Sequence, residues 1–280
     1  MSIRRFPFGS SFGVMQGRLS PQSPLGYQAF PWATWEKEFQ IASQFSLEHI
    51  EWVLDAHDFY SNPLIAHPSS ILECSRTFDV GVPSVCADFL MENPLCYDDP
   101  LGWAKVEKTM DGMVAIGAKV LVWPCVDGAS LLNEAKLHEL QRVLPRALEL
   151  AQSRFIQIAI ESDLPPRRLL NLVEIWNHPN LTINYDSGNS ASLGYSFDDE
   201  IELYGRYISD LHVKDRTKNG GSVEIGKGAV DFQRLVRFLS SGSFDGIVTM
   251  QAFRDQDGIQ VFSRQLFSLE NKAFEMGIRG

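Results

Sequence analysis

Along the chain, short apolar runs rich in β-branched residues alternate with longer stretches in which apolar positions recur every three or four residues. The runs are FGVM (12–15), HIEWVL (49–54), VPSVCA (82–87), KVLVWP (119–124), IQIAIE (156–161), LTINYD (181–186), ISDLHV (208–213) and GIVTMQ (246–251). Their length and composition predict strands. Between them, Trp35, Phe39, Ala42 and Phe45, and again Leu137, Leu140, Leu144, Leu148 and Ala151, fall on one face of a helix with 3.6 residues per turn. Thr34, the pair Pro165 and Pro166, and Asp231 stand where helices should start. Ile259, Phe262, Leu266, Leu269 and Phe274 predict a helix after the last strand, with these positions facing the core. Pro145 interrupts a good helical pattern and predicts a kink or a break.

Eight strand-helix units without a Gly/Ser linker or a shift in composition predict an α/β fold of one domain over residues 1–280, a (β/α)8 TIM barrel. The competing architecture is an open doubly wound sheet, which places a Gly-rich phosphate turn after its first strand. Here the turn is QGRLS (16–20), neither GxGxxG nor a P-loop.

Composition narrows the function. With 280 residues, 44% of them hydrophobic, the chain can bury a large core. A net charge of -10 gives no electrostatic reason to approach nucleic acid or an anionic membrane, so the expected partner is a small molecule. Residues 1–8 carry two arginines with no apolar segment behind them, and nowhere do 18 apolar residues run together; the expectation is a cytoplasmic protein. Cys74, Cys86, Cys96 and Cys125 lack CxxC spacing and read as free thiols.

In a barrel, chemistry collects at the C-terminal ends of the strands. The fifth run ends in Glu161, the sixth in Asp186, the seventh carries His212 and the eighth ends in Gln251. Two carboxylates, an imidazole and an amide carbonyl suit one divalent Mn, Mg, Co or Zn ion. Each has an ordinary alternative as a helix-start acid, a turn former or a core histidine; the argument rests on four such residues closing four successive strands. Glu51 and Asp88 at other strand ends are candidates for substrate contact or a substitute base. Arg18, Lys214 and Arg216 are candidates to hold a phosphate or carboxylate. Trp52 and Trp123 either stack on a sugar ring or pack in the barrel wall. The segment 217–228, with Gly220, Gly221, Gly226 and Gly228, reads as a flap over the site or as a passive loop.

FGVMQGRLSP (12–21), TINYDSGNSASLGY (182–195), ISDLHVKDR (208–216) and GKGAVDF (226–232) resemble the xylose isomerase-like sugar phosphate isomerase/epimerase family of (β/α)8 barrels, from about Gly13 to the eighth strand. The resemblance implies one divalent metal held by Glu, Asp, His and Glu from strands five to eight. The first three match Glu161, Asp186 and His212; Gln251 stands where the second glutamate is usual. It also implies a substrate-contacting position at Asn189, where several epimerases carry histidine in Asp-x-Gly-His. Family members move a proton beside a carbonyl through a metal-stabilised enediolate. Glu161 can serve as a base, whereas the Gln251 amide cannot. The expected activity is therefore isomerisation or epimerisation of a sugar or sugar phosphate by one-base chemistry. A hydro-lyase acting on a polyol or keto-sugar, and a sugar-binding protein that has lost turnover, are the alternatives. A metal-dependent nuclease on the related endonuclease barrel is disfavoured by the charge and by the presence of six histidines with only His212 at a ligand position. A homo-oligomer is compatible with the sequence.

Overall fold

A computed structural model describes residues 11–278. Residues 1–8, in which no leader was expected, lie outside it. Eight strands, β1 (Ser11–Met15), β2 (His49–Val53), β3 (Ser84–Cys86), β4 (Val120–Cys125), β5 (Gln157–Ser162), β6 (Leu181–Asp186), β7 (Ile208–Val213) and β8 (Ile247–Met250), form a closed parallel barrel. β1 pairs with β2 on one side and β8 on the other. Helices follow the strands and cover the outside, and the single-domain (β/α)8 barrel read from the sequence is the observed architecture.

The strands read as nearly continuous apolar runs because their outward side chains meet the helices while alternate inward ones fill the barrel. Val14, Ile50, Trp52, Leu121, Ile158 and Leu211 belong to the large outer core. Met15, Val53, Cys86, Val120, Val122 and Ala159 form a separate, small inner one. That inner group fixes which parity of each strand points inward. Glu51 lies two residues before Val53, and Glu161 two after Ala159; both share the inward parity.

The helix starts behave largely as expected. Asp231 accepts hydrogen bonds from the Gln233 and Arg234 amides, and Pro166 opens the helix Pro166–Trp176. Thr34 precedes the helix Trp35–Gln44, but its hydroxyl pairs with Ser20 at 2.7 Å instead of capping. The expected break at Pro145 does not occur: the helix Glu134–Ser153 runs through it. Pro145 lies on the exposed side, where water can serve the carbonyl that loses its amide partner. In the last helix, Ile259–Glu275, Phe262, Leu266 and Leu269 are buried as expected, whereas Ile259 and Phe274 are exposed and Gln265 takes a buried position. Gln265 holds the loop after β8 by accepting from the Phe253 amide at 3.0 Å and donating to its carbonyl at 2.7 Å. Trp52 and Trp123 are outer-core residues, Trp52 donating to Asn62 Oδ1 at 3.0 Å. All four cysteines are free. No helix of the described residues is long and apolar enough to cross a membrane.

Candidate metal and active site

Register brings the strand-end residues into one place. Asp186 is the direct partner of His212 across β6 and β7. Thr249 is the partner of His212 across β7 and β8, and Gln251 follows Thr249 by two residues, on the same parity and one step nearer the mouth. Glu161, Asp186 and His212 each offer a ligand atom, and these atoms lie within 4.8 Å of one another. All four side chains are buried, and Gln251 Oε1 has no hydrogen-bond partner among the described residues.

The turn after β6 builds the next layer. Asp186 caps the short helix Ser187–Leu193 by accepting from the Asn189 amide at 2.8 Å. The cap turns the Asn189 side chain back over the barrel, where its Nδ2 donates to Glu161 Oε1 at 2.6 Å. Arg216 Nη1 then donates to Asn189 Oδ1 at 2.7 Å, and Lys214 Nζ lies 3.3 Å from Asp186 Oδ2. Gly188 permits this crossing, since a Cβ there would sit 2.9 Å from Lys214 Cγ and 3.2 Å from Arg216 Cγ.

Glu51 is placed differently from the expectation of substrate contact. It is fully buried beneath the site, with Oε1 2.9 Å from His212 Nε2 and Oε2 accepting from Ser84 at 2.9 Å. Asp210, two residues before His212 on the same face, lies 3.9 Å from the same ring nitrogen, and Asn184 Nδ2 lies 3.1 Å from His212 Nδ1. Burial alone would lower the proton affinity of His212; the charge and hydrogen bond of Glu51 outweigh it and push the ring up to about 10. Glu161 moves up to about 8 through burial first and the Asp186 charge second. Asp210 and Asn184 were not singled out from the sequence, although the signal was there: each stands two residues before a candidate ligand, on the same face of its strand.

The remaining candidates lie on the other side of the mouth. Asp88 is buried, and its Oδ1 accepts from Cys86 Sγ at 3.4 Å. Arg18 is also buried, donating through Nε to the Ala252 carbonyl at 2.9 Å and through Nη2 to Gln28. The glycine-rich segment carries a small antiparallel pair, Asp215–Arg216 with Ser222–Val223. The Asp215 carboxylate gathers the amides of Gly226, Gly228 and Val230 at 2.8, 2.8 and 3.2 Å, so the far end of the segment read as a flap or a passive loop is tied to one buried acid.

The residues fit a divalent cation: two carboxylates and an imidazole stand within mutual ligand range, beside a buried amide oxygen that has no hydrogen-bond partner among the described residues. The chain belongs to the xylose isomerase-like TIM barrel family, whose model matches residues 39–272. A relative from Haemophilus influenzae, provisionally named an L-ribulose-5-phosphate 3-epimerase, is 23% identical over 248 residues, covering 80% of this chain and 85% of its own. Among solved structures, an IolI protein with a bound zinc atom superposes with a TM-score of 0.70 at 16% identity, covering 94% of this chain and 98% of that one. The 3-keto-D-glucoside 4-epimerase from E. coli does so with a TM-score of 0.70 at 13% identity, covering 94% and 99%.

Proposed function

We propose that this chain is a divalent-metal-dependent isomerase or epimerase of a sugar, moving a proton on a carbon next to a carbonyl. The observation that carries this reading is the convergence of Glu161, Asp186 and His212 within 4.8 Å, beside the unpartnered Gln251 Oε1. An ion of the Mn, Mg, Co or Zn class held by these four residues supplies positive charge against the negative charge that develops on a carbonyl oxygen as the neighbouring carbon loses its proton. Glu161 is the group that takes and returns the proton. The 2.6 Å hydrogen bond from Asn189 to one of its oxygens fixes the carboxylate plane, so that the group can both face the ion and take the proton. Lys214, 3.3 Å from Asp186, balances part of the acidic charge. Gln251 can donate or accept hydrogen bonds but cannot hold a transferred proton. Glu161 acting alone therefore moves the proton between neighbouring carbons on one face, an aldose–ketose isomerisation, and epimerisation requires a second acid or base on the opposite face.

The test is exchange of a carbon-bound proton, followed by NMR in deuterated water with the Mn-loaded protein and a panel of ketoses and ketose phosphates. Exchange is expected, without loss of a substrate oxygen, and Glu161→Gln is expected to slow it about 10³-fold. Loss of an oxygen would replace the reading with hydro-lyase chemistry. Ligand-induced stabilisation with no exchange from any member of the panel would leave a sugar-binding protein and sink the enzyme reading.

A further inference from the structure

The side of the mouth over β1, β2 and β3 carries polar atoms that the proposed proton transfer does not use. Gln16 and Arg18 follow β1, Asp55 follows β2 and Asp88 follows β3; none is more than 4% exposed. Each is anchored through one end. Gln16 Oε1 accepts from the Val53 amide at 3.1 Å, Asp55 Oδ2 accepts from the Phe30 amide at 2.8 Å, Arg18 Nε donates to Ala252, and Asp88 Oδ1 faces the Cys86 thiol. Each also keeps an atom without a hydrogen-bond partner among the described residues: Gln16 Nε2, Arg18 Nη1, Asp55 Oδ1 and Asp88 Oδ2. A buried polar atom left so carries the full cost of its lost hydration. Four of them on adjoining strand ends mark a place built for a polar ligand rather than for packing. The charges of Arg18 and Asp55 act on Asp88, and that of Asp88 acts on Glu161, so this sector adjoins the metal site.

The chemistry of the four atoms selects the ligand. Two are donors and two are carboxylate acceptors, and a hydroxyl is the group that both donates and accepts. A phosphate dianion only accepts, and here it would face two carboxylates. The other cations expected to hold an anion are already engaged, Lys214 with Asp186 and Arg216 with Asn189 and the Gly220 carbonyl. We propose that the β1–β3 sector holds the hydroxyl tail of an unphosphorylated ketose, and that Asp88 determines its selection over the corresponding sugar phosphate. This rests on the isomerase or epimerase reading above and names the substrate class of that site.

The experiment compares proton exchange by the Mn-loaded full chain on ketopentoses and ketohexoses with exchange on their terminal phosphate esters. The neutral sugars are expected to have a kcat/KM at least about ten-fold higher, from like-charge repulsion of the phosphate. Asp88→Asn keeps the shape of the side chain but no longer accepts through both oxygens. It is expected to raise KM for the ketose about ten-fold with kcat nearly unchanged, the pattern of a lost binding contact. Asp55→Asn is expected to act in the same direction, so the result does not hang on one variant. Faster exchange of the phosphate esters, or an unchanged KM in both variants, overturns this inference and leaves the isomerase reading standing. Exchange with neither class overturns both.

Discussion

The inside of the barrel is divided into two halves. Over β3, β4 and β5 the inward side chains at mid-depth, above Ser84 and Gln157 and below Glu161, are small and apolar, with Cys86, Val120, Val122 and Ala159 joined by Met15 and Val53. On the β6, β7 and β8 side, and in the lower parts of β1 and β2, they are polar. His49 lies 2.8 Å from Ser11 and 3.1 Å from Thr249, and above it Glu51, Asp210 and Asn184 surround His212. Gly13 makes room for this plug, because a Cβ there would meet the His49 ring at 2.3 Å. The apolar half withholds solvent from the acids above it: burial is the leading cause that moves Asp88 up to about 7 and Glu161 up to about 8. The polar half holds the His212 ring from below through Glu51, the arrangement by which an outer carboxylate commonly orients a metal-binding histidine. The apolar half raises the acids by burial, whereas the polar half raises the His212 ring through the Glu51 charge and also fixes its orientation.

The largest expected effect comes from breaking the polar half. Glu51→Gln removes the carboxylate 2.9 Å from His212 and leaves a fully buried imidazole without its counter-charge. The loss should be about 3–5 kcal/mol in chemical denaturation, together with a roughly 10–100-fold fall in Mn affinity. Unchanged stability and unchanged affinity would mean that the ring is held by its strand alone.

The next effect tests the apolar half through pH. The folded metal-free protein keeps a proton on Asp88 up to about 7, whereas the unfolded chain releases it near the ordinary 3.8. Between those values the folded state binds more protons, so the Asp88 contribution to stability is complete below about pH 4 and is lost as pH rises through 7. Asp88→Asn cannot lose that proton. Relative to the parent it should be neutral near pH 4 and more stable at pH 8, by an amount on the order of 2–3 kcal/mol. Parallel pH-stability curves for the two proteins would show that Asp88 is better solvated than its burial implies.

How much of this was legible in the sequence follows from the two periodicities. Strands buried on both faces leave long apolar runs, so all eight were readable, and the polar residue ending each late run marked Glu161, Asp186, His212 and Gln251. What periodicity does not carry is depth. Glu51 and Asp88 both stand near strand ends, yet Glu51 has a further inward residue, Val53, above it and so lies under the histidine. Asp88 lies past the end of β3, at the mouth. Of the kink or break expected at Pro145 the break is absent, because the cost of a proline depends on which helix face it occupies, and the sequence alone does not say which carbonyl reaches water. Asp215 gathers amides from residues 226–230, a contact that no short-range pattern announces, so the glycines alone left the segment open between a flap and a passive loop.

A smaller effect separates packing from aim. Val122→Ala removes two methyl groups from the apolar half and should lower stability by about 2 kcal/mol. Mn affinity should stay within about two-fold, since Glu161, which that half carries above Ala159, is oriented by Asn189 rather than by Val122. A fall in affinity as large as that of Glu51→Gln would erase the distinction between the halves.

The smallest expected change in affinity lies at Gln251, and its sign does the discriminating. Gln251→Glu places a third carboxylate beside Glu161 and Asp186 at the edge of the polar half. Without metal, the added like charge should lower the unfolding free energy by about 1 kcal/mol. With metal, the same charge becomes a better ligand and should tighten Mn binding about ten-fold, so saturating metal should stabilise the variant more than the parent. Thermal unfolding with and without Mn reads both changes in one experiment. If the variant is destabilised equally in both conditions, residue 251 repels its neighbours without ligating, and the metal set reduces to Glu161, Asp186 and His212. If the two shifts have opposite signs, residue 251 is a ligand, and restored exchange on a second face of the substrate carbon would then identify the natural glutamine as the feature that limits this chain to one base.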